Sequence, residues 1–125
     1  MHVILDTNFL MYALKHHIYF EEELRRITDF SFKIVVPRQV VEELKMLSED
    51  KKLSMADRDA AKLALVIVKK FKILDIEAEN ADEAILKLSK GNALATMDSQ
   101  LKKRFKKASG SRIVTIRQRK YLILD

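Results

Sequence analysis

Four acidic residues stand where an apolar run has just ended or where a helical pattern has just begun. They are Asp6, Glu43, Asp82 and Asp98. Carboxylate oxygens are the ligands that hard divalent cations prefer, and the chain has no Cys to form a thiolate site. If the four side chains meet, their like charges raise one another's pKa unless a cation neutralises them. The acids therefore indicate a Mg²⁺ or Mn²⁺ site that could orient and deprotonate water beside a phosphate.

Two of these acids have an acidic neighbour, and helical geometry selects between the members of each pair. At about 100° per residue, Glu43 falls at the edge of the apolar stripe of its helix, whereas Glu42 falls nearly opposite that stripe. The same test places Asp82 beside the apolar stripe of the helix predicted near residues 81–90, and Glu83 on the outside. Glu43 and Asp82 are therefore the predicted ligands, and Glu42 and Glu83 are predicted to face solvent.

Each acid also has a purely structural explanation, because carboxylates are favoured at helix N-termini. Asp6 could precede a cap, and Asp98 could cap the helix that follows it. Asp82 could be a first-turn acid behind an Asn80 cap, with Glu83 completing a box-like pair. Taken singly, capping is the stronger explanation for each acid. The meeting of four acids at one place is what favours a metal site.

The pattern along the chain predicts the elements that bring the acids together. Five apolar runs of strand length occupy residues 2–5, 33–36, 72–76, 93–96 and 112–116. Amphipathic segments predict helices near residues 9–15, 20–29, 38–48, 56–70, 81–90 and 99–108. This alternation is typical of an α/β fold, a three-layer α/β/α sandwich with a central parallel sheet of about five strands. The carboxyl ends of parallel strands share one edge, where the four acids would meet.

The length of 125 residues predicts a single domain over residues 1–125, because a second core of comparable size has no room. Residues 121–124 form a last apolar group that fits either an edge strand or a packed tail, and residues 109–111 are predicted to form a turn. No secretion signal is visible, and the longest apolar run, residues 63–68, is too short to cross a bilayer. We expect a soluble cytoplasmic protein with no membrane partner.

The positive charge of the chain is concentrated in its C-terminal part. Lys and Arg number 24 against 18 acids, and residues 99–124 contain nine basic residues and no acid. Such a patch attracts polyanions, nucleic acid first among them. The residues predicted to contact RNA are Lys102, Lys103, Lys106, Lys107, Arg117 and Arg119. The competing explanation is a solvated helix face that lysine keeps soluble.

Four segments of the chain resemble, in order and spacing, the acidic motifs of the PIN-domain family. They are VILDTN at 3–8, VP at 36–37 leading to EEL at 42–44, ADEAIL at 81–86 and ATMD at 95–98. The resemblance spans essentially the whole chain and is greatest to the compact archaeal type, related to VapC ribonucleases and to PIN nucleases of ribosomal RNA processing. One departure is Met97, which stands where the family often has Asn before the last acid.

The resemblance implies a divalent-metal-dependent endoribonuclease that leaves a 3′-hydroxyl, either a VapC-like toxin of a toxin–antitoxin pair or an RNA-processing nuclease. The catalytic ligands of Mg²⁺ or Mn²⁺ that the resemblance implies are Asp6, Glu43, Asp82 and Asp98. The supporting hydrogen-bonding residues that it implies are Thr7, Asn8 and Thr96. It also implies an RNA substrate, an antitoxin protein as a partner, and a homodimer.

Two other classes of protein share parts of this pattern. A phosphoacceptor signalling domain also places acids and Mg²⁺ at strand ends, but it requires paired acids after the first strand and a Lys after the fifth. This chain has Asp6 alone and Arg117 at those places. The alternative that stays open is a non-catalytic PIN-like module that binds RNA or protein, with the acids kept as helix caps. Only the complete set of four acids argues against it, because a fold by itself does not establish a function.

Overall fold

The computed structural model describes residues 1–108 and 110–125, so Ser109 of the predicted 109–111 turn lies outside the described residues. The strands within these ranges are β1 (His2–Leu5), β2 (Lys33–Pro37), β3 (Lys72–Leu74), β4 (Ala93–Ala95), β5 (Arg112–Arg117) and β6 (Tyr121–Leu124). The helices are α1 (Thr7–Lys15), α2 (Phe20–Ile27), α3 (Arg38–Glu49), α4 (Met55–Val68), α5 (Ala81–Lys87) and α6 (Ser99–Lys107). None of the helices described here is long and apolar enough to cross a membrane.

The strands form one sheet in the order β3-β2-β1-β4-β5-β6. Neighbours from β3 to β5 pair in parallel, and β6 pairs antiparallel with β5. The predicted α/β fold with about five parallel strands is confirmed, and residues 121–124 form an edge strand rather than a tail. The chain builds outward from β1 to β2 and β3 on one side and to β4 and β5 on the other. This reversal opens a crevice at the carboxyl ends of β1 and β4.

Both faces of the sheet are covered by helices. Successive strand residues point to opposite faces, so Val3 packs with Phe9 and Leu44 in the layer formed by α1 to α4. Ile4 points the other way and packs with Phe105 in the layer formed by α5 and α6. Burial on both faces explains why β1 has no polar alternation. The predicted three-layer sandwich is confirmed.

Strand β3 ends at Leu74, two residues before the predicted end of the run at residues 72–76. The backbone carbonyl of Ile76 accepts a hydrogen bond from the Gln39 side chain instead of extending the ladder (Nε2···O 2.5 Å). Residues 75–80 therefore form a connection that leads from the carboxyl edge of the sheet into α5.

Candidate active site

Asp6 lies at the centre of the carboxyl edge, directly after β1. Its backbone N–H donates to the carbonyl of Ala95 (3.0 Å), which extends the β1–β4 pairing by one residue. Its Oδ1 accepts a hydrogen bond from the backbone N–H of Thr7 (2.8 Å) and caps α1, while Oδ2 accepts one from the Thr96 hydroxyl (2.7 Å). Asp6 is therefore held between two strand ends, with only 5% of its surface exposed.

Burial raises the pKa of Asp6 from its ordinary value of 3.8 to about 6. The hydrogen bonds from Thr96 and Thr7 act in the opposite direction, because they stabilise the ionised carboxylate. The negative charges of Asp82 and Glu43 add to the rise in pKa, so these three acids interact electrostatically. The ionised form of Asp6 is therefore destabilised in the metal-free protein, and a bound cation would stabilise it.

Thr96 and Asn8 connect Asp6 to the segment that carries Asp98. The fully buried Thr96 hydroxyl donates to Asp6 and accepts from the backbone N–H of Asp98 (3.1 Å). Oδ1 of Asn8 accepts from the backbone N–H of Met97 (3.2 Å). The Met97 side chain packs against the core, so this residue contributes only backbone to the connection. Asp6 and Asp98 are thus held in a fixed relation by hydrogen bonds between different elements.

Asp98 caps α6 and still keeps one carboxylate oxygen for a ligand. Both cap hydrogen bonds fall on Oδ1, which accepts from the backbone N–H groups of Gln100 (2.9 Å) and Leu101 (3.1 Å). An ionised carboxylate has two acceptor oxygens, so Oδ2 can bind a cation while the cap persists. Capping and metal binding are therefore compatible at Asp98, although the sequence pattern presents them as alternatives.

Glu43 and Glu42 differ in direction more than in exposure, because both side chains are exposed on α3. Glu42 pairs with Arg38 on the outer surface (Nη1···Oε2 2.8 Å). Glu43 lines the crevice that contains Asp6. The choice of Glu43 over Glu42 from helical geometry agrees with this placement.

Asp82 lies in the first turn of α5, behind the Asn80 cap, and its carboxylate is 3.8 Å from the Arg104 guanidinium of α6 (Oδ2···Nη1). The Glu83 side chain is 42% exposed and does not line the cleft that contains Asp6, which agrees with the prediction that it faces outward. Glu83 folds back and accepts a hydrogen bond from the backbone N–H of Glu79 (3.0 Å). It satisfies an N–H group ahead of the helix, much as a capping box does.

The predicted ligands line one open cleft of about 980 Å³ at the carboxyl edge of the sheet. They reach it from the end of β1, from α3, from α5 and from the start of α6; they are Asp6, Glu43, Asp82 and Asp98. Within residues 1–108 and 110–125, no three Asp, Glu or His side chains are grouped closely enough to hold a metal ion. The carboxylates therefore share a cleft without converging on one point.

The chemistry of the cleft nonetheless fits a hard divalent cation. The four carboxylates supply only oxygen donors. Thr7, 4% exposed, also lines the cleft, and its hydroxyl oxygen is buried with no hydrogen-bond partner among the described residues. The residues that could hold such an ion are Asp6, Glu43, Asp82 and Asp98, with Thr7 beside them.

The basic residues predicted to contact RNA lie outside the lining of this cleft. Lys102, Lys103, Lys106 and Lys107 follow α6 away from Asp98. Lys106 pairs with Asp125 (Nζ···Oδ2 3.2 Å). The backbone N–H of Asp125 donates to the carbonyl of Ile113 near the start of β5. Lys106 therefore lies near the amino ends of the parallel strands, opposite the acids.

Arg117 and Arg119 lie at the same edge of the sheet as Asp6. Strand β5 is parallel to β4 with Ala95 beside Val114, so Arg117 lies three residues, or about 10 Å, beyond that level. The turn that follows is tight, and its central residues Gln118 and Arg119 both have left-handed backbones (φ 54° and 56°). All the side chains from Arg117 to Lys120 are exposed.

Three residues near the acids were not predicted from the sequence. Arg104 approaches Asp82, Gln39 binds the connection before α5, and Lys15 lines the cleft while paired with Asp57 (Nζ···Oδ1 2.9 Å). The sequence feature that could have identified Arg104 is its position between Leu101 and Phe105, the buried residues of α6. A Gln at the second position of a helix carries no comparable pattern.

Comparisons with known proteins agree with this architecture. The family model described as "PIN like domain" matches residues 3–119. The chain is 37% identical over 122 residues to a protein named Ribonuclease VapC4 from Methanocaldococcus jannaschii, a match that covers 95% of this chain and 92% of that protein. It superposes on the solved structure of the PIN domain endonuclease Utp24 with a TM-score of 0.76 and 27% identity, covering 99% of this chain and 90% of that one. The chain belongs to the PIN-like domain family.

Proposed function

We propose that this protein is a divalent-metal-dependent endoribonuclease that hydrolyses RNA phosphodiester bonds. The observation that carries the proposal is the cleft at the carboxyl edge, which four carboxylates from four separate elements line together. The relative named Ribonuclease VapC4, with which the chain shares 37% identity, supports RNA as the substrate. The structural similarity to the PIN domain endonuclease Utp24 supports nuclease chemistry.

Mg²⁺ or Mn²⁺ is the proposed cofactor, held directly or through water by Asp6, Glu43, Asp82 and Asp98. When bound, such a cation lowers the pKa of water and stabilises the charge that develops on the phosphate. The protein supplies the negative charge that attracts the cation. Asp6 is the central ligand in this proposal, because its burial and the nearby charges of Asp82 and Glu43 destabilise its ionised form, which a bound cation would stabilise.

The supporting residues act by orientation. Thr96 holds Oδ2 of Asp6 and the backbone of Asp98, and Asn8 holds the backbone of Met97. The backbone N–H of Thr7 donates to Oδ1 of Asp6. In the proposed reaction a water oxygen bonds to phosphorus, and the bond from phosphorus to the 3′ oxygen breaks. That oxygen takes up a proton, so the products are a 3′-hydroxyl and a 5′-phosphate.

RNA phosphates flanking the cut bond need positive charge outside the acidic cleft. We propose that basic residues of the C-terminal part provide it, namely the half-buried Lys102 and the exposed Lys103, Lys106, Lys107, Arg117 and Arg119. Arg117 and Arg119 lie at the same edge of the sheet as the acids, whereas Lys106 lies near the opposite edge. The turn after β5 is therefore the part of the basic set that the geometry favours most for substrate contact.

The biological setting is proposed from the family. We propose a cytoplasmic enzyme that forms a homodimer and acts either as a VapC-like toxin controlled by an antitoxin protein or as an RNA-processing nuclease. We also propose, from the family, that residues 1–125 form a single domain.

The alternative function, a non-catalytic module that binds RNA or protein, accounts for the positions of fewer of the four acids. Capping accounts for Asp6 and Asp98, both of which are N-caps. It does not account for Glu43, which lies in the middle of α3 and faces the cleft. Nuclease function accounts for the acids with a single role.

A cleavage assay on labelled single-stranded and structured RNA tests the proposal, with Mg²⁺, Mn²⁺ or EDTA in parallel reactions. The parent should cut RNA only with a divalent cation, and Asp6→Asn and Asp98→Asn should each lose at least about 100-fold in rate. Glu42→Gln is the matched control, because Glu42 neighbours Glu43 but pairs with Arg38 outside the cleft. Cutting by Asp6→Asn at the parent rate would contradict the assignment. Absence of cutting by the parent on all substrates would favour the binding module.

A further inference from the structure

Gln39 is a buried polar residue that the proposed chemistry does not use. It is the second residue of α3 and is 6% exposed, yet it does not line the acidic cleft. It precedes Glu43 by four residues, so the two lie on the same side of the helix, one turn apart. Burial of an amide without hydrogen bonds costs free energy, so the partners of Gln39 explain why it is tolerated there.

The Gln39 amide holds the connection between β3 and α5. Its Nε2 donates to the backbone carbonyls of Ile76 (2.5 Å) and Ala78 (3.2 Å). Both carbonyls lie outside regular secondary structure, where a buried acceptor needs a donor from elsewhere. Contact with two carbonyls also fixes which end of the amide carries the N–H groups.

This connection delivers Asp82 to the cleft. Asn80 ends the connection and caps α5 by accepting from the backbone N–H of Glu83 (2.8 Å), and Asp82 is the second residue of that helix. Gln39 therefore joins the helix that carries Glu43 to the segment that sets the position of Asp82.

A second interaction between α3 and this connection is exposed to solvent. Arg38 pairs with Asp75 (Nε···Oδ1 2.7 Å), and the Asp75 side chain is 84% exposed. Ion pairs at such exposure contribute little, because water and salt screen them. The buried hydrogen bonds of Gln39 are therefore the stronger restraint between the two segments.

We infer that Gln39 is a positioning residue that sets the separation of Glu43 and Asp82 and thereby the affinity of the site for a divalent cation. The inference rests on the proposed metal-dependent function. The Oε1 atom of Gln39 is buried with no partner among the described residues, so an apolar side chain of the same length would remove one unpaired acceptor. What that side chain could not do is hold the two carbonyls.

Mn²⁺ binding to the purified protein, followed by electron paramagnetic resonance of the free ion, tests the inference without an activity assay. Gln39→Met and Gln39→Leu both fill the position with an uncharged apolar side chain and remove the N–H donors. Each should weaken Mn²⁺ binding by about tenfold, the lower end of the effect seen when groups that orient ligands are removed. Arg38→Gln is the matched control, because it removes the exposed tie to the same connection, and its Mn²⁺ affinity should stay within about twofold of the parent.

A double-mutant comparison separates positioning from a general loss of structure. If Gln39 acts through Asp82, Gln39→Met should change Mn²⁺ affinity little in an Asp82→Asn protein, but by the full factor in an Asp98→Asn protein. Cooperative unfolding in EDTA verifies that each variant is folded. Parent-like Mn²⁺ affinity in both Gln39 variants, or an equal loss in the two backgrounds, overturns the positioning role alone. A parent protein that binds no Mn²⁺ overturns the proposed metal-dependent function and this inference with it.

Discussion

Thr96 donates a hydrogen bond of 2.7 Å to Oδ2 of Asp6, and the two residues directly follow the neighbouring strands β4 and β1 at the centre of the sheet. The same hydroxyl accepts from the backbone N–H of Asp98 (3.1 Å). One fully buried side chain thus fixes the positions of two of the acids and lowers the pKa of Asp6 against the larger effect of burial.

Thr96→Val should lower nuclease activity and move its acid limb to higher pH. Valine keeps the shape of threonine but removes the donor that stabilises ionised Asp6, so the pKa of Asp6 should rise above about 6. The backbone N–H of Asp98 also loses its acceptor, at a cost in unfolding free energy of about 1–3 kcal/mol. A pH–rate profile measures the shift. Thr115→Val is the control, since Thr115 is a buried threonine of β5 and should leave the profile unchanged.

Asp6 should make the metal-free protein less stable as pH rises from about 4 to above 6. The folded-state pKa of Asp6 is raised above its ordinary value of 3.8, so folding favours its protonated form. Its contribution is present below pH 4 and is lost as pH rises through about 6, with a total on the order of 2–3 kcal/mol. Urea unfolding in EDTA at pH 4 to 7 measures this change in the free energy of unfolding. Asp6→Asn should lack the decline, and parallel curves for parent and variant would show that Asp6 is not the group responsible.

Neutralising Arg117 and Arg119 together should flatten the salt dependence of RNA binding more than neutralising Lys106 and Lys107. For each phosphate of single-stranded RNA that a variant no longer neutralises, the slope of log K against log salt should become shallower by about 0.7. The two double variants, all substitutions to Gln, change the net charge equally, so a general effect of charge would reduce both slopes alike. The larger effect is expected at the turn after β5, which lies at the edge of the sheet that carries the acids.

Arg119→Gly should stabilise the fold while it weakens RNA binding. Arg119 has a left-handed backbone (φ 56°), a conformation that costs most residues about 1–2 kcal/mol and glycine almost nothing. Part of this gain is offset by the greater freedom of glycine in the unfolded chain, so about 1 kcal/mol is expected. Chemical unfolding and RNA titration measure the two effects. Lys120→Gly, at the neighbouring exposed position of the turn, should instead destabilise, and a loss of stability in both variants would contradict the strain at Arg119.

The sequence by itself determined the order of the elements and the edge at which the acids gather. Apolar runs such as residues 3–5 and 34–36 have no polar alternation because parallel strands are buried on both faces, so the fold class could be recognised locally. Chain direction then places every βα connection at one edge, and helical geometry distinguishes Glu43 from Glu42 there. These inferences need only periodicity, which neighbouring residues along the chain encode.

Only the tertiary structure decided how each acid is held. Asp6 acquires its raised pKa from burial beside Thr96, and Asp82 meets Arg104 across two helices. Gln39 reaches the carbonyl of Ile76. Each of these interactions joins residues far apart along the chain, and no local period encodes which side chains will meet once the layers pack. Desolvation likewise depends on what covers a carboxylate from every side, and that is a property of the folded protein.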